Sequence, residues 1–306
     1  MTEKENSPYS TLAKQYDLLF DEPLKKYTSI NIGGPADLLA LPKDKQELKS
    51  LLNDVQDLNL PITLIGGGSN LLVSDKGIRG LAIVTKDLKS QIRVIEKDPL
   101  GKTIHVEAGE RLSKVCQFAI NQSLSGLEFA AGIPGSLGGA IAMNAGTSSG
   151  DMSGIIKSIE VINRETLIFE TKEKTSLEFS YRNLRDPGII VAAKIILKNA
   201  DQKIIEETFK QNLLQKNATQ PVSYASAGCF FKNPEKGKSA GELIEKSGLK
   251  GVSVNDAMVS KIHANYIVNL KNATCKDILS LKQQIQEVVF KKYNIKLETE
   301  VRMEGE

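Results

Sequence analysis

Two glycine clusters carry the clearest chemical signal in this chain. The first, Gly66-Gly67-Gly68-Ser69-Asn70-Leu71-Leu72, follows a short apolar run at 62–65. The second, Gly132-Ile133-Pro134-Gly135-Ser136-Leu137-Gly138-Gly139, leads through small residues and Asn144 to Gly146. Three consecutive glycines are costly in backbone entropy. What they permit is close approach of backbone N–H groups to an anion, in conformations that side chains forbid. The second cluster is small and apolar, which suits a wall against a flat aromatic ligand and its phosphates. A surface turn and a buried glycine crossing are the structural alternatives for the two loops. Neither loop is a Rossmann fingerprint, because Leu71 stands where the third glycine belongs. The spacing therefore predicts a dinucleotide held by a different fold.

Other chemistries find little support. The three cysteines, Cys116, Cys229 and Cys275, form no C-x-x-C pair, and His105 and His263 sit in no metal-ligand motif. No metal site is expected. The chain has 40 Lys+Arg against 37 Asp+Glu and no Trp. That excludes the concentrated basic face of a nucleic-acid binder and an aromatic platform for single strands. The most apolar stretch, 188–197, carries Lys194 and is too short to span a bilayer. The polar N-terminus has no apolar signal core. A cytoplasmic protein with no nucleic-acid partner and no membrane insertion is expected.

The elements that must hold these loops can be read from periodicity. An amphipathic helix is expected over 44–59, then strands at 62–65 and 81–84, forming a small α/β unit. Strands at 92–96 and 104–107 precede a helix at 110–122, whose inward face includes Cys116. Strands near 155–162, 167–171, 177–181 and 189–197 predict an antiparallel sheet. A helix at 203–215 leads to a polar linker, 217–225. Beyond it come a helix at 241–247, a strand at 266–270, a helix at 276–293 and a final strand at 296–303. Thr274 and Asp277 have capping-box spacing for the long helix.

Seven segments then occur in a recognisable order: TSINIGGPAD (28–37), GGGSNLLV (66–73), GIPGSLGGAIAMNAG (132–146), FSYRN (179–183), SAGCFFKNP (226–234), HAN (263–265) and LETEVR (297–302). In these the chain resembles the UDP-N-acetylenolpyruvoylglucosamine reductases, also called UDP-N-acetylmuramate dehydrogenases. The compact region after Tyr181-Arg182 resembles the shorter subclass, which lacks an extra tyrosine-bearing loop. The resemblance implies an α+β protein. A FAD-binding fold of the vanillyl-alcohol oxidase (PCMH) class would fill two subdomains, 1–88 (N-terminal α/β) and 89–216 (mainly antiparallel sheet). A C-terminal α/β substrate-binding domain would occupy 217–306.

The resemblance also implies non-covalent FAD, NADPH as co-substrate, a nucleotide-sugar substrate and a monomer. No histidine lies in either glycine loop to tether the flavin. The cofactor would meet Gly67, Gly68, Ser69, Asn70 and Leu71 on one side. Gly132, Pro134, Gly135, Ser136, Gly138, Gly139, Asn144 and Gly146 would form the other. Arg182 would lie near flavin and substrate carboxylate. Glu300, rather than Glu298, matches the catalytic glutamate, with a raised pKa expected. Cys229 takes the proton-donor position where serine is common. A free thiol is mostly protonated at neutral pH yet far more acidic than an alcohol, so ready donation and sensitivity to peroxide are both expected. Lys232 and Asn233 would contact the diphosphate or sugar, or else cap a turn before Pro234. Asn265 would add a polar contact. A flavin oxidase of the same fold class and a non-enzymatic nucleotide-binding module are the rival readings.

Overall fold

The structure, a computed structural model, describes residues 9–234 and 238–305. The start of the chain, read above against a signal sequence, lies mostly outside them.

The first sheet runs Leu19–Pro23, Pro35–Ala40, Ile78–Val84, Ile62–Ile65 in spatial order. Its first pair is antiparallel and the other two are parallel. Helix Lys45–Val55 covers it through Leu48, Leu51, Leu52 and Val55. Asp44 lies outside this helix as its N-cap, accepting from the amides of Gln46 and Glu47. The chain then tightens into a 3₁₀ turn, Gln56–Leu58, and stops at Asn59 in a left-handed conformation. The expected α/β unit is present, extended by the two strands at 19–23 and 35–40 that periodicity did not mark.

The middle section is an antiparallel sheet ordered Phe169–Glu173, Ile156–Ile162, Ile189–Asn199, Gly101–Glu107, Arg93–Asp98. Its central strand, Ile189–Asn199, is buried on both faces over its first five residues, which is why its sequence is apolar without alternation. Helices Leu112–Asn121 and Leu137–Ala142 share a core with this sheet, with Cys116 inside it.

The last section packs a four-stranded antiparallel sheet, Ala225–Cys229, Tyr266–Asn269, Ala257–Val259, Ser253–Val254, with helix Cys275–Tyr293. The Thr274–Asp277 capping box forms. A second cap comes from far away: Asp75 accepts from the amides of Cys275 and Lys276 at 2.7 and 2.9 Å.

Three expectations change. The run at 177–181 does not join the middle sheet: only Phe179–Ser180 is extended, and it pairs with Asn183–Leu184 in a separate hairpin. Helix Gln202–Thr219 runs into the stretch read as linker, leaving 220–224 as the connection. The expected strand at 296–303 is two short pieces. Thr299 bridges to Phe231, and only Arg302–Glu304 forms a strand, parallel to Leu71–Val73. Alternating residues over 296–303 read as one strand because sequence cannot show that the chain changes partner at residue 301.

Candidate functional site

The two glycine loops lean on each other. A Cβ on Gly67 would lie 2.5 Å from the Gly135 Cα, and one on Gly135 would lie 2.5 Å from Ser69 Oγ. Ser69 Oγ donates to the carbonyl of Pro134 at 3.2 Å. Gly68 has φ +64°, and a Cβ there would meet the Tyr27 carbonyl. Glycine is thus required first by protein packing. Among the described residues, no protein acceptor meets the amides of Gly67, Gly68, Ser69, Gly135 or Ser136. Gly67 is exposed and Ser69 and Gly135 are half-buried, so these unpaired amides are open to water or to the acceptors of a ligand. Ser136 caps helix Leu137–Ala142, accepting from Gly139. Gly138 donates to Ala108, and Leu71 is buried at the start of its strand. The space beside Gly132 is taken by the stems of Lys216 and Leu213, and that beside Gly146 by Asp151.

Beyond the loops, three reactive side chains converge from distant segments. Arg182 sits in the tight hairpin Phe179–Leu184 at φ +57°. For a side chain that conformation costs roughly 1–2 kcal/mol, so something must hold it. Asn144 does part of this: its Nδ2 donates to the Ser180 carbonyl at 3.1 Å, while its Oδ1 accepts from the Ser153 amide. Arg182 Nε donates to Glu300 Oε1 at 3.0 Å, with only 11% of the Glu300 side chain exposed. Burial pushes the Glu300 carboxyl above the usual carboxylate range, against the lowering pull of Arg182 and Lys232. Asn70 Nδ2 donates to the Glu300 carbonyl, and Glu300 N–H donates to Phe230 O. Glu298, by contrast, is exposed.

Cys229 ends the Ala225–Cys229 strand, directly opposite Tyr266. Burial, then the negative charge of Glu300, push its thiol up to about 11. Tyr266, Arg182 and Lys216 pull the other way without prevailing. The thiol is therefore less acidic than its residue type suggested, and the expected peroxide sensitivity is weakened, because the thiolate is the reactive form. Lys216 donates to the Gly132 carbonyl, and burial lowers its ammonium to about 8.

The remaining predicted contacts are spread around this centre. Lys232 is close enough to influence Glu300, and its amide donates to Glu298 O. Asn233 Oδ1 accepts from Ala240 N at 3.0 Å, capping the next helix. Asn265 is buried, and its side-chain amide makes two bonds to the Phe231 backbone. It fixes the backbone two residues beyond Cys229, just past the strand's end, with both polar atoms of its side chain occupied.

Residues 36–172 match the model of the FAD binding domain, and residues 220–304 match that of the UDP-N-acetylenolpyruvoylglucosamine reductase C-terminal domain. The chain is 42% identical over 307 residues to UDP-N-acetylenolpyruvoylglucosamine reductase of Desulforamulus reducens, covering 97% of this chain and 99% of that protein. This chain belongs to the UDP-N-acetylenolpyruvoylglucosamine reductase family. The reductase of Desulfosudis oleivorans is 38% identical over 299 residues, 94% of each chain. The crystal structure of the reductase from Thermus caldophilus has a TM-score of 0.79 at 35% identity, covering 94% of this chain and 98% of that one. The fold is thus a PCMH-type FAD-binding domain with the reductase C-terminal domain. The activity is that of a UDP-N-acetylmuramate dehydrogenase, a FAD flavoprotein of peptidoglycan precursor synthesis. Among the described residues, no helix of this reductase is long and apolar enough to cross a membrane.

Three neighbours of the reductase centre escaped the sequence reading: Lys216, Gln220 and Tyr266. Lys216 falls between the helix expected at 203–215 and the linker expected at 217–225, with no motif to mark it. Tyr266 looked like one more apolar strand residue beside the HAN segment. Only the pairing of Cys229 with Tyr266 across the sheet gives the tyrosine hydroxyl a partner of interest.

Proposed function

We propose that this reductase uses NADPH to reduce UDP-N-acetylglucosamine enolpyruvate to UDP-N-acetylmuramate, with Cys229 as proton donor. FAD, when bound, carries hydride from NADPH to C3 of the enolpyruvyl group, its terminal vinyl carbon. The amides of Gly67, Gly68, Ser69, Gly135 and Ser136 fit the pyrophosphate of that cofactor, since they lack protein acceptors and no Cβ covers the glycines among them.

Hydride arrival at C3 leaves enolate-like charge on the substrate carboxylate, and C2 must gain a proton. The planar Arg182 guanidinium suits that carboxylate better than an ammonium would. Glu300 Oε1 is occupied by Arg182, so Oε2 is the oxygen to hold a proton and donate to the developing charge. The Cys229 S–H bond breaks heterolytically, its proton goes to C2, and the electron pair stays on sulfur as thiolate. Lys232 and Asn233 contact the diphosphate or sugar. The lobes divide at about residue 88 around the cofactor, and because helix Gln202–Thr219 runs unbroken through 216, the boundary of the substrate domain moves from 217 to the connection at 220–224. The tight hairpin at Tyr181-Arg182 supports the shorter subclass, since Phe179 pairs directly with Leu184.

The observation that supports this reading is the convergence of Arg182, Cys229 and Glu300 where the first glycine loop touches the C-terminal segment. The test mixes protein, FAD, NADPH and the enolpyruvyl nucleotide-sugar anaerobically and follows loss of NADPH absorbance. Failure to oxidise NADPH overturns the reading. In the same assay Cys229→Ala should retain rapid flavin reduction by NADPH but stall substrate reduction, whereas Cys229→Ser keeps partial turnover. Normal turnover by Cys229→Ala removes the donor role.

A further inference from the structure

We propose that Tyr266 is a positioning residue for the Cys229 thiol, exchanging its hydrogen bond from Gln220 to sulfur when the thiol gives up its proton. This rests on the donor role proposed for Cys229.

A half-buried thiol that donates a proton must leave a thiolate behind, with less water to solvate it than at the surface. The groups facing that sulfur are few. Glu300 would repel the charge only as a carboxylate, and the proton on its Oε2 removes that repulsion, while Arg182, Lys216 and Tyr266 favour the thiolate. Arg182 is already bonded to Glu300 and Lys216 to the Gly132 carbonyl. Tyr266 differs in carrying a proton that can be re-aimed by one rotation about its C–O bond.

Its placement is fixed from three sides. Tyr266 and Cys229 are Cα partners across antiparallel strands, which puts their side chains on one face of the sheet. A register shift between Ser226 and Cys229, with Gly228 at φ +83°, brings the cysteine into this pairing. The His263 ring packs edge-on against the Tyr266 ring at 5.1 Å between centroids, so the ring has little freedom to tilt away. Finally, the hydroxyl donates to Gln220 Oε1 at 2.8 Å. Gln220 therefore parks the proton while Cys229 is a neutral thiol.

The sequence of events conserves atoms and charge. Cys229 loses its proton to substrate C2 and becomes a thiolate. Tyr266 keeps its own proton covalently and turns its O–H from Gln220 Oε1 to Sγ. After product leaves, water returns a proton to sulfur, and the hydroxyl swings back to Gln220. A hydrogen bond to a charged group is worth more than a neutral one, which gives the exchange its direction.

The test compares Tyr266→Phe with the parent and with Cys229→Ala in anaerobic stopped-flow. Phenylalanine keeps the ring, the packing on His263 and the strand. Flavin reduction by NADPH should match the parent. Reoxidation of the reduced flavin by the enolpyruvyl nucleotide-sugar should slow roughly tenfold or more, the range of a hydrogen bond to a charged group. The second readout is iodoacetamide alkylation, quantified by mass spectrometry on the peptide carrying Cys229, at one pH below the thiol pKa. Alkylation should be slower in Tyr266→Phe, because its thiolate has lost a donor, although the side chain is smaller. A purely structural role would leave alkylation unchanged or faster. If Cys229→Ala slows reoxidation and Tyr266→Phe alters neither readout, Tyr266 has no such role. If Cys229→Ala itself reoxidises normally, the donor reading fails and this proposal falls with it.

Discussion

Asn70 Nδ2 lies 3.0 Å from the backbone oxygen of Glu300, across 230 residues of sequence. In return, Asn70 O accepts from the Arg302 amide. The last residue of the first glycine loop therefore clamps the segment that carries the glutamate. Beside the cofactor contact that the family resemblance implies for Asn70, the geometry gives it this second task. Glu300 stands where the chain leaves Phe230 and turns toward Leu71, so a small loss of grip there would move its carboxylate.

Asn70→Ala should accordingly separate two properties that a simple cofactor contact would join. Flavin should be retained, because the free amides of Gly67, Gly68 and Ser69 remain. Substrate-driven reoxidation of reduced flavin should slow, and stability should fall by about 1–3 kcal/mol for the unsatisfied carbonyl. Flavin-to-protein ratio, stopped-flow and chemical denaturation on one preparation would decide it. Loss of flavin with normal kinetics in the remainder would contradict the clamp.

Gly67→Ala probes the contact between the two loops. Its added Cβ would meet backbone, 2.5 Å from Gly135 Cα, and backbone cannot rotate out of the way. We expect a folded protein that loses flavin on gel filtration. Gly154→Ala is the matched control, since a Cβ there meets nothing within 4 Å. Equal flavin content in both variants would show that loop-to-loop packing is irrelevant to binding.

The Cys229 thiol should behave as a guarded acid. With its pKa raised from 9.0 to about 11, its thiolate fraction at neutral pH is about a hundredfold below that of an ordinary cysteine. Alkylation of its peptide should be slow at pH 7 and climb steeply through pH 9 and 10. Hydrogen peroxide should inactivate the enzyme slowly at neutral pH. Fast, pH-independent modification would mean that the sulfur is neither buried nor repelled by Glu300.

Lys216 makes a stability prediction with a definite sign. Its folded pKa, about 8, lies below the ordinary lysine value of 10.5 because burial disfavours the ammonium. The folded state thus binds protons less well than the unfolded chain, and the penalty is fully present below pH 8. It is relieved as pH rises through 8 toward the unfolded value. Lys216→Met keeps the stem over Gly132 and removes the charge. It should be more stable than the parent at pH 7, with the difference shrinking by pH 10. A difference that is constant with pH would exclude burial as the cause.

The legible parts of this molecule are those where local sequence decides. Helix Cys275–Tyr293, with its Thr274–Asp277 box, and the mostly apolar strand Ile189–Asn199, interrupted by Lys194, follow from spacing alone. The glycine loops were visible because three adjacent glycines need a reason. What sequence could not show was partnership. The run at 296–303 changes neighbour midway, and nothing in its alternation marks the change. Asn144 and Asn265 read as ligand contacts because their segments are motif-like, yet their amides hold backbone. Gln220 and Tyr266 had no local signal, because their interest comes from a cross-strand neighbour.

The parallel pairing of Arg302–Glu304 with Leu71–Val73 also sets a timetable. During synthesis the glycine loops and Arg182 exist long before their glutamate does. Contacts between such remote segments form late, since the intervening chain must first be ordered. A nascent chain released before residue 300 would have a dinucleotide cradle with no acid to face it and no strand to brace Leu71. Competence for chemistry is therefore conferred by the final few residues of this pairing, as a seal applied after the vessel is built.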